Sequence, residues 1–172
     1  MANARRVIYS VAATLDGYIA DPDGGIDWIP EEPTIDWAGF MARFDVALMG
    51  RRTYEAARRL GGVPGGLPAI VLSSTLRQED CPDATVTRDD PAAVVDRLRG
   101  TPGKDIWLMG GGALFRSFLA AGLVDMVEVA VVPVLLGTGI PLLPEGTPAA
   151  QLALTVHRTY PSGIVLLTYE VR

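Results

Sequence analysis

Cysteine and histidine are almost absent from this chain, which has one of each, Cys81 and His157, in 172 residues. A lone cysteine excludes an internal disulfide and a multi-cysteine metal site. Cys81 precedes Pro82 in a polar stretch with no histidine nearby in sequence, and reads as a loop thiol rather than a nucleophile. His157 falls in the alternating run Leu152 to Tyr160 and reads as a strand residue, so no metal is expected. Long apolar runs are missing too. No stretch approaches the length of a membrane span, and the N-terminal region has Arg5 and Arg6 but no apolar leader with a small-residue cleavage site. The expectation is a cytoplasmic protein with no membrane partner. Positive charge is also in deficit: 15 Lys and Arg stand against 20 Asp and Glu, a net charge of −5, whereas a general nucleic-acid binder needs a basic stripe.

What remains is a hydrophobic chain, 49% apolar by composition, long enough to bury about 70% of its unfolded surface in one core. The expectation is a single domain over 1–172, without repeats or a linker; the Gly/Pro-rich stretch Gly61 to Pro68 reads as a loop between elements. Strands are expected near Arg6–Ala13, Val46–Met49, Ala69–Leu72, Thr85–Thr87, Ile106–Met109, Met126–Val132, Leu154–Tyr160 and Ile164–Val171. Helices are expected over Asp36–Phe44, Thr53–Leu60, Pro91–Arg99 and Ala113–Ala121. Alternation of strands with helices implies a mostly parallel sheet covered on both faces, closed by a hairpin around Pro161, Ser162 and Gly163. The apolar content fits a homodimer that buries an apolar strand face.

Three strand ends carry residues suited to anions. Gly110, Gly111 and Gly112 follow the run Ile106 to Met109 and open a helix, a turn where backbone can approach a ligand and where the helix N-terminus favours negative charge. Gly50, Arg51, Arg52, Thr53 and Tyr54 follow Val46 to Met49 and add two guanidiniums and a hydroxyl to a second such turn. Ser73 and Ser74, with Thr75 and Arg77, end a third run. Each alone has an ordinary reading as a turn, a capped surface helix or a loop. Because ligands of open α/β sheets lie outside the carboxyl ends of strands, three such ends describe one long phosphate-bearing ligand, a dinucleotide.

In order and spacing this set resembles the dihydrofolate reductase-like superfamily, in particular the branch near the reductase half of the bifunctional riboflavin-biosynthesis deaminase/reductase. The resemblance runs from Ser10 to Ala20, with Leu15, Asp16, Gly17, Tyr18 and Ile19 as the loop over the nicotinamide, through the three motifs above to Pro133–Pro141. It implies a three-layer fold with a mostly parallel central sheet of about eight strands, helices on both faces and a C-terminal antiparallel hairpin. It implies NADPH as cofactor, with Arg51, Arg52, Thr53, Ser73 and Ser74 at the adenosine end and its 2′-phosphate, Gly110 to Gly112 at the pyrophosphate, and Gly50 and Ala13 in the same set. A cis peptide within the glycine triplet is also implied, as is a small heterocyclic substrate, a pteridine, pyrimidine or flavin precursor, beside Trp28, Leu136 and Gly137.

Departures from the family pattern narrow this. The arginine that holds the glutamate carboxylate of folate would lie in Gly62 to Pro68, which here has no basic residue, so dihydrofolate itself is not the expected substrate. The arginine that follows the triplet in many relatives is Ala113, with Arg116 as an unaligned substitute. Hydride reduction of a carbon–nitrogen double bond also needs a proton donor. Glu32 and Asp36 are the candidates: spacing from Trp28 and Pro30 selects Glu32, and the helical run from Ile35 to Phe44 selects Asp36. Asp16 is a third. Where related proteins place an acid one turn further on, this chain has Gly39, which makes water a fourth. Two classes remain open, an NADPH-dependent reductase and a dinucleotide-binding module with little or no activity.

Overall fold

The computed structural model describes residues 5–172; residues 1–4, part of the stretch read for a leader, lie outside it. The chain runs β1 (Val7–Thr14), β2 (Tyr18–Ala20), α1 (Trp37–Ala42), β3 (Phe44–Gly50), α2 (Arg51–Arg59), β4 (Ala69–Leu72), β5 (Ala84–Thr87), α3 (Pro91–Arg99), β6 (Asp105–Gly110), α4 (Gly112–Ala120), β7 (Met126–Val132), β8 (Ile140–Pro141), β9 (Leu152–Thr159) and β10 (Val165–Val171). Eight strands form one sheet in the order β5-β4-β3-β6-β1-β7-β10-β9, and β2 and β8 pair separately. From β5 to β7 all neighbours are parallel, and β10 and β9 are antiparallel, the latter pair being the expected hairpin.

Burial explains the strand sequences. Interior strands of a doubly covered sheet need apolar residues on both faces, and Val7, Ile8 and Tyr9 of β1 and Ile106 and Leu108 of β6 are fully buried. On one face Val7, Tyr9, Leu48 and Leu108 pack with Val94 and Val95 of α3 and Phe115 and Phe118 of α4. The Tyr9 ring stacks on Phe115 at 3.7 Å between centroids, a contact worth about 0.5–1.5 kcal/mol beyond its buried area. On the opposite face Ile8, Ala47, Met49 and Trp107 pack with Tyr54 of α2 and with Phe40 and Met41 of α1. The Tyr54 hydroxyl donates to Asp83, which ties α2 to the turn before β5. Every large side chain fully withdrawn from water in these layers contributes about 1.5–3 kcal/mol.

Helix α1 is shorter than expected because Asp36 is its N-cap and Phe44 already belongs to β3. Helix α2 begins two residues earlier than expected, at Arg51. The strands β2 and β8, three and two residues long, were not expected at all.

The order in which strands are added reverses at the centre of the sheet. After β3 the chain passes through α2 to β4, on one side of β3, whereas after β6 it passes through α4 to β7, which lies beyond β1 on the other side. The two helices cover opposite faces. Their N-termini therefore part above the adjacent ends of β3 and β6, where Met49 pairs with Gly110, and leave a crevice at the carboxyl edge.

Candidate functional site

The three motifs meet at that crevice. Gly50 ends β3 opposite Leu72 of β4, and Met49 lies opposite Gly110 of β6. Neighbouring strands lie about 4.8 Å apart, so the three turns fall within about 10 Å across the sheet. Both helices that open there are headed by glycine, Gly50 for α2 and Gly111 for α4, and neither has a side-chain cap. The first-turn N–H groups of two helices, with their dipoles, are thus directed into one crevice with nothing from their caps to satisfy them. Arg51 and Arg52 are exposed on the first turn of α2; Arg51 lies 3.9 Å from Glu55, and Arg52 forms no ion pair among the described residues.

The glycines of the triplet play different parts. Gly110, at φ +116, occupies a backbone region that side chains rarely adopt, and the peptide bond to Gly111 is cis. A Cβ on Gly111 would lie 3.5 Å from Thr53 Oγ1 and 4.0 Å from Ile19 Cδ1, so Gly111 faces the gap between α2 and β2. A Cβ on Gly112 would lie 2.9 Å from both the Pro141 and Leu142 carbonyl oxygens. Gly112 is buried beneath the exit of β8, and its lack of a side chain serves packing. Ser73 likewise has an internal role, its hydroxyl accepting from the Thr75 and Leu76 N–H groups at 3.2 and 3.1 Å, while Ser74 is exposed. Ala13 is buried and opposite Val131, its methyl on the α4 face of β1. Arg116 points along α4 to the Glu145 carbonyl at 3.4 Å, and Ala113 is exposed.

On the α1 face an open cleft of about 410 Å³ adjoins the sheet. Ala12, Ala130 and Val132 form its floor, and Ile29, Pro30, Glu32, Ile35 and Trp37 are among its walls. Glu32 is buried, and both its oxygens are engaged: Oε1 accepts from the Thr34 hydroxyl and N–H, and Oε2 from the Ser162 N–H at 2.8 Å. The Thr34 hydroxyl, and then Ser162, hold its carboxyl down at about 2. Glu32 is therefore an anion at neutral pH, the wrong protonation state for a general acid, and its visible work is to fasten the loop before α1 to the β9–β10 hairpin. Asp36 caps α1 by accepting from the Gly39 N–H at 2.8 Å, and a Cβ at Gly39 would collide with that carboxylate. The glycine at 39 is thus coupled to the cap.

Trp28 is half-buried, and its Nε1 is buried without a partner. Leu136 and Gly137 do not line the cleft; their N–H groups donate to Asp16 at 3.2 and 2.7 Å. Asp16 also accepts from the Thr14 hydroxyl at 2.6 Å, and these donors, Thr14 first and then Gly137, hold its carboxyl below the usual range. Asp16 is therefore a joint between the β1–β2 turn and the loop after β7, reinforced by Leu15 N–H to the Val134 carbonyl and Leu142 N–H to the Gly17 carbonyl. The Gly62 to Pro68 loop lies against α1: Val63 and Leu67 join that core, and a Cβ on Gly65 would sit 3.0 Å from Met41 Sδ. Sequence reading missed one more polar pair, Arg43 and Glu128, which bridges the end of α1 to β7. Its signal was a lone acid in the apolar run Met126 to Val132.

A parallel sheet with a switch-point crevice, two glycine-headed helices and an apolar cleft beside it define a dihydrofolate reductase-like fold. The dihydrofolate reductase of Enterococcus faecalis, solved with NADP(H) and RAB-propyl, superposes with a TM-score of 0.70 at 16% identity, covering 97% of this chain and 96% of that one. Residues 5–166 match the family described as the RibD C-terminal domain, and the chain belongs to that family. The YyaP protein of Bacillus subtilis (strain 168) is 32% identical over 179 residues, with 96% of this chain and 95% of the relative covered. The riboflavin biosynthesis protein RibD of Corynebacterium ammoniagenes is 28% identical over 153 residues, which are 80% of this chain and 45% of that protein. Membership of this family supports a reductase-type function. Among the described residues no helix is long and apolar enough to cross a membrane, and no cluster of His, Cys, Asp and Glu has the makings of a metal site.

Proposed function

We propose that this chain is an NADPH-dependent reductase, one domain over 1–172, that acts on a small pteridine-, pyrimidine- or flavin-precursor-like heterocycle in the cytoplasm. The observation that carries the reading is the pair of uncapped, glycine-headed helix N-termini flanking the β3–β6 crevice, with an arginine pair on one of them. The residues present fit a dinucleotide phosphate: N–H groups of α2 and α4 for the pyrophosphate, and Arg51, Arg52, Thr53 and Ser74 for the adenosine end. When bound, the nicotinamide supplies hydride. The protein positions the heterocycle on Ala12 and Ala130, excludes water with Ile29, Ile35 and Trp37, and fixes the roof over the crevice through Asp16. With Glu32 ionised and Asp36 committed to its cap, the proton comes from water.

That same observation about the carboxyl groups favours a second reading, a dinucleotide-binding module without efficient chemistry. Titration with NADPH and NADH, followed by tryptophan emission, tests the site; turnover of an aminopyrimidine or pterin substrate panel then separates the two readings. Tighter binding of NADPH supports both, and no binding of either nucleotide refutes both.

The same proposal includes a homodimer. Edge strand β9 exposes Leu152, Leu154 and Val156, each 42–52% accessible. Leu152, and Leu154 on the same face, border an apolar groove of about 580 Å³ between α4 and the β7–β10 side of the sheet, lined also by Phe115, Val129, Leu142, Leu167 and Tyr169. Unpaired, apolar sheet edges of this kind are normally covered. A monomer by sedimentation at micromolar concentration would remove this part of the proposal.

A further inference from the structure

Helix α2 carries the arginine pair, yet nothing at its own start fixes how that pair is presented. Its head is Gly50, with no side-chain cap, and Arg51 reaches only Glu55 of the same helix. Among the described residues, the first side chain of α2 with a hydrogen-bond partner outside the helix is Tyr54, buried at the end of the first turn, whose hydroxyl donates to Asp83. Asp83 ends the segment 73–83 that joins β4 to β5. The other end of that segment, Ser73, follows Leu72, which is paired with Gly50, so the turn with the exposed Ser74 and Thr75 stands beside the head of α2. The segment is braced within itself. Gln78 stands in for a strand along β5: its Oε1 accepts from the Val86 N–H at 2.8 Å, and its Nε2 donates to the Ala84 and Cys81 carbonyls at 2.7 and 3.0 Å. Ser73 Oγ holds the Thr75 and Leu76 N–H groups, and Leu76 and Cys81 join the core that contains Tyr54. Two hydrogen bonds tie this braced segment to α2, Tyr54 to Asp83 and Arg58 Nη1 to the Asp80 carbonyl at 3.3 Å.

The core around Tyr54 is apolar, with Ile8, Phe44, Ala47, Met49 and Trp107, and a phenylalanine would serve it for packing. A buried hydroxyl is costly there unless it is bonded, so its bond to Asp83 calls for a role of its own. The bond is also constant. Burial first, and then Asp83, raise the Tyr54 phenol, while Tyr54 draws the exposed Asp83 carboxyl below its usual range, so donor and acceptor keep their roles around neutral pH. A pyrophosphate between α2 and α4 needs nothing from the 73–83 segment, whereas a phosphate on the adenosine ribose is held from both sides, by the arginines of α2 and by Ser74. Resting on the NADPH reading of the crevice, we propose that Tyr54 and Asp83 are a positioning pair for that second phosphate. Their hydrogen bond holds the first turn of α2 and the Ser73–Thr75 turn at the spacing that grips it, and so sets the preference for NADPH over NADH.

Two readouts on the full chain test this, nucleotide affinity and the labelling rate of Cys81 by a thiol reagent. Cys81 is the one cysteine of the chain, is buried, and lies two residues before Asp83, so its labelling reports opening of the segment. Asp83→Ala, at an exposed position, and Tyr54→Phe are each expected to weaken NADPH by about tenfold and NADH by less than about threefold. Asp83→Asn, which keeps an acceptor for the hydroxyl, is expected to stay within about threefold of wild type for both. Without nucleotide, Asp83→Ala is expected to label at least about tenfold faster than wild type, and saturating NADPH to slow labelling of the wild type. Equal losses for the two nucleotides, an Asp83→Asn protein as impaired as Asp83→Ala, or unchanged labelling in Asp83→Ala overturns the proposal. Faster labelling of Asp83→Ala in a protein whose wild type binds neither nucleotide would sink the NADPH reading and the preference with it, and leave the tie between α2 and the segment standing.

Discussion

A methyl group placed on Gly112 has nowhere to go. It would stand 2.9 Å from two backbone carbonyl oxygens, those of Pro141 and Leu142, and 3.2 Å from Pro144 Cδ. Ordinary contact starts near 3.4 Å, so the 141–144 segment must retreat by several tenths of an ångström. That segment is held: Leu142 donates to the Gly17 carbonyl, Ile140 pairs with Ala20, and a Cβ on Gly139 would itself strike the Ala20 carbonyl oxygen. Overpacking of this kind costs about 1–3 kcal/mol. For a domain of this size each kcal/mol lowers Tm by about 2–4 °C, so Gly112→Ala is expected to lose about 2–12 °C in a thermal melt. Gly50→Ala is the control. Its φ is −85°, its new Cβ would be no closer than 3.9 Å to anything, and the reduced freedom of the unfolded chain offsets a slightly poorer cap. Its Tm should stay within about 2 °C of wild type. A Gly112→Ala protein that melts within about 1 °C of wild type would show that the β8 exit yields freely, and would refute the assignment of Gly112 to packing.

Arg52→Ala is expected to weaken NADPH by about tenfold or more while leaving NADH nearly unchanged, because a charge-assisted contact to the 2′-phosphate is lost; equal losses for both nucleotides in a titration would remove the role. Glu32 should write itself into the acid limb of stability. Its carboxyl is depressed from 4.5 to about 2, so its stabilisation is complete above the ordinary value and lost as pH falls through about 2. Glu32→Gln should therefore flatten the denaturant midpoint against pH between about 4.5 and 2, and an unchanged slope there would contradict the Thr34 and Ser162 contacts. Leu154→Lys on the exposed face of β9 is expected to shift the sedimenting species from dimer to monomer without altering NADPH binding.

The sequence made most of the large sheet legible because its signal is local. Ala69–Leu72 and Met126–Val132 were bounded to the residue, and the other strands to within two residues, since interior strands are continuous apolar runs. The meeting of the three glycine, arginine and serine turns was also readable, because it follows from strand ends sharing one edge of a parallel sheet. Strands β2 and β8 were not, being too short to show a period and defined only by each other across some 120 residues. The role of Glu32 depended on Ser162, 130 positions away, and that of Gly112 on Pro141 to Pro144; no local pattern encodes either. Cap geometry at Asp36 was within reach, because a short acid beginning a helical run is a recognised signature. Glu128 could have been found as the residue that breaks the apolar run of β7.

The position of β1 between β6 and β7 has a consequence for synthesis. Within the large sheet β1 waits longest for its neighbours, since Val7 waits for Ile106 and Ile8 for Met126. At roughly 5–20 residues per second that wait is on the order of 5–20 s, during which Val7, Ile8, Tyr9 and Val11 travel as an unpaired apolar segment. Nascent chains stalled near residue 100 should consequently be captured by holdase chaperones, and chains released after β7 should escape them.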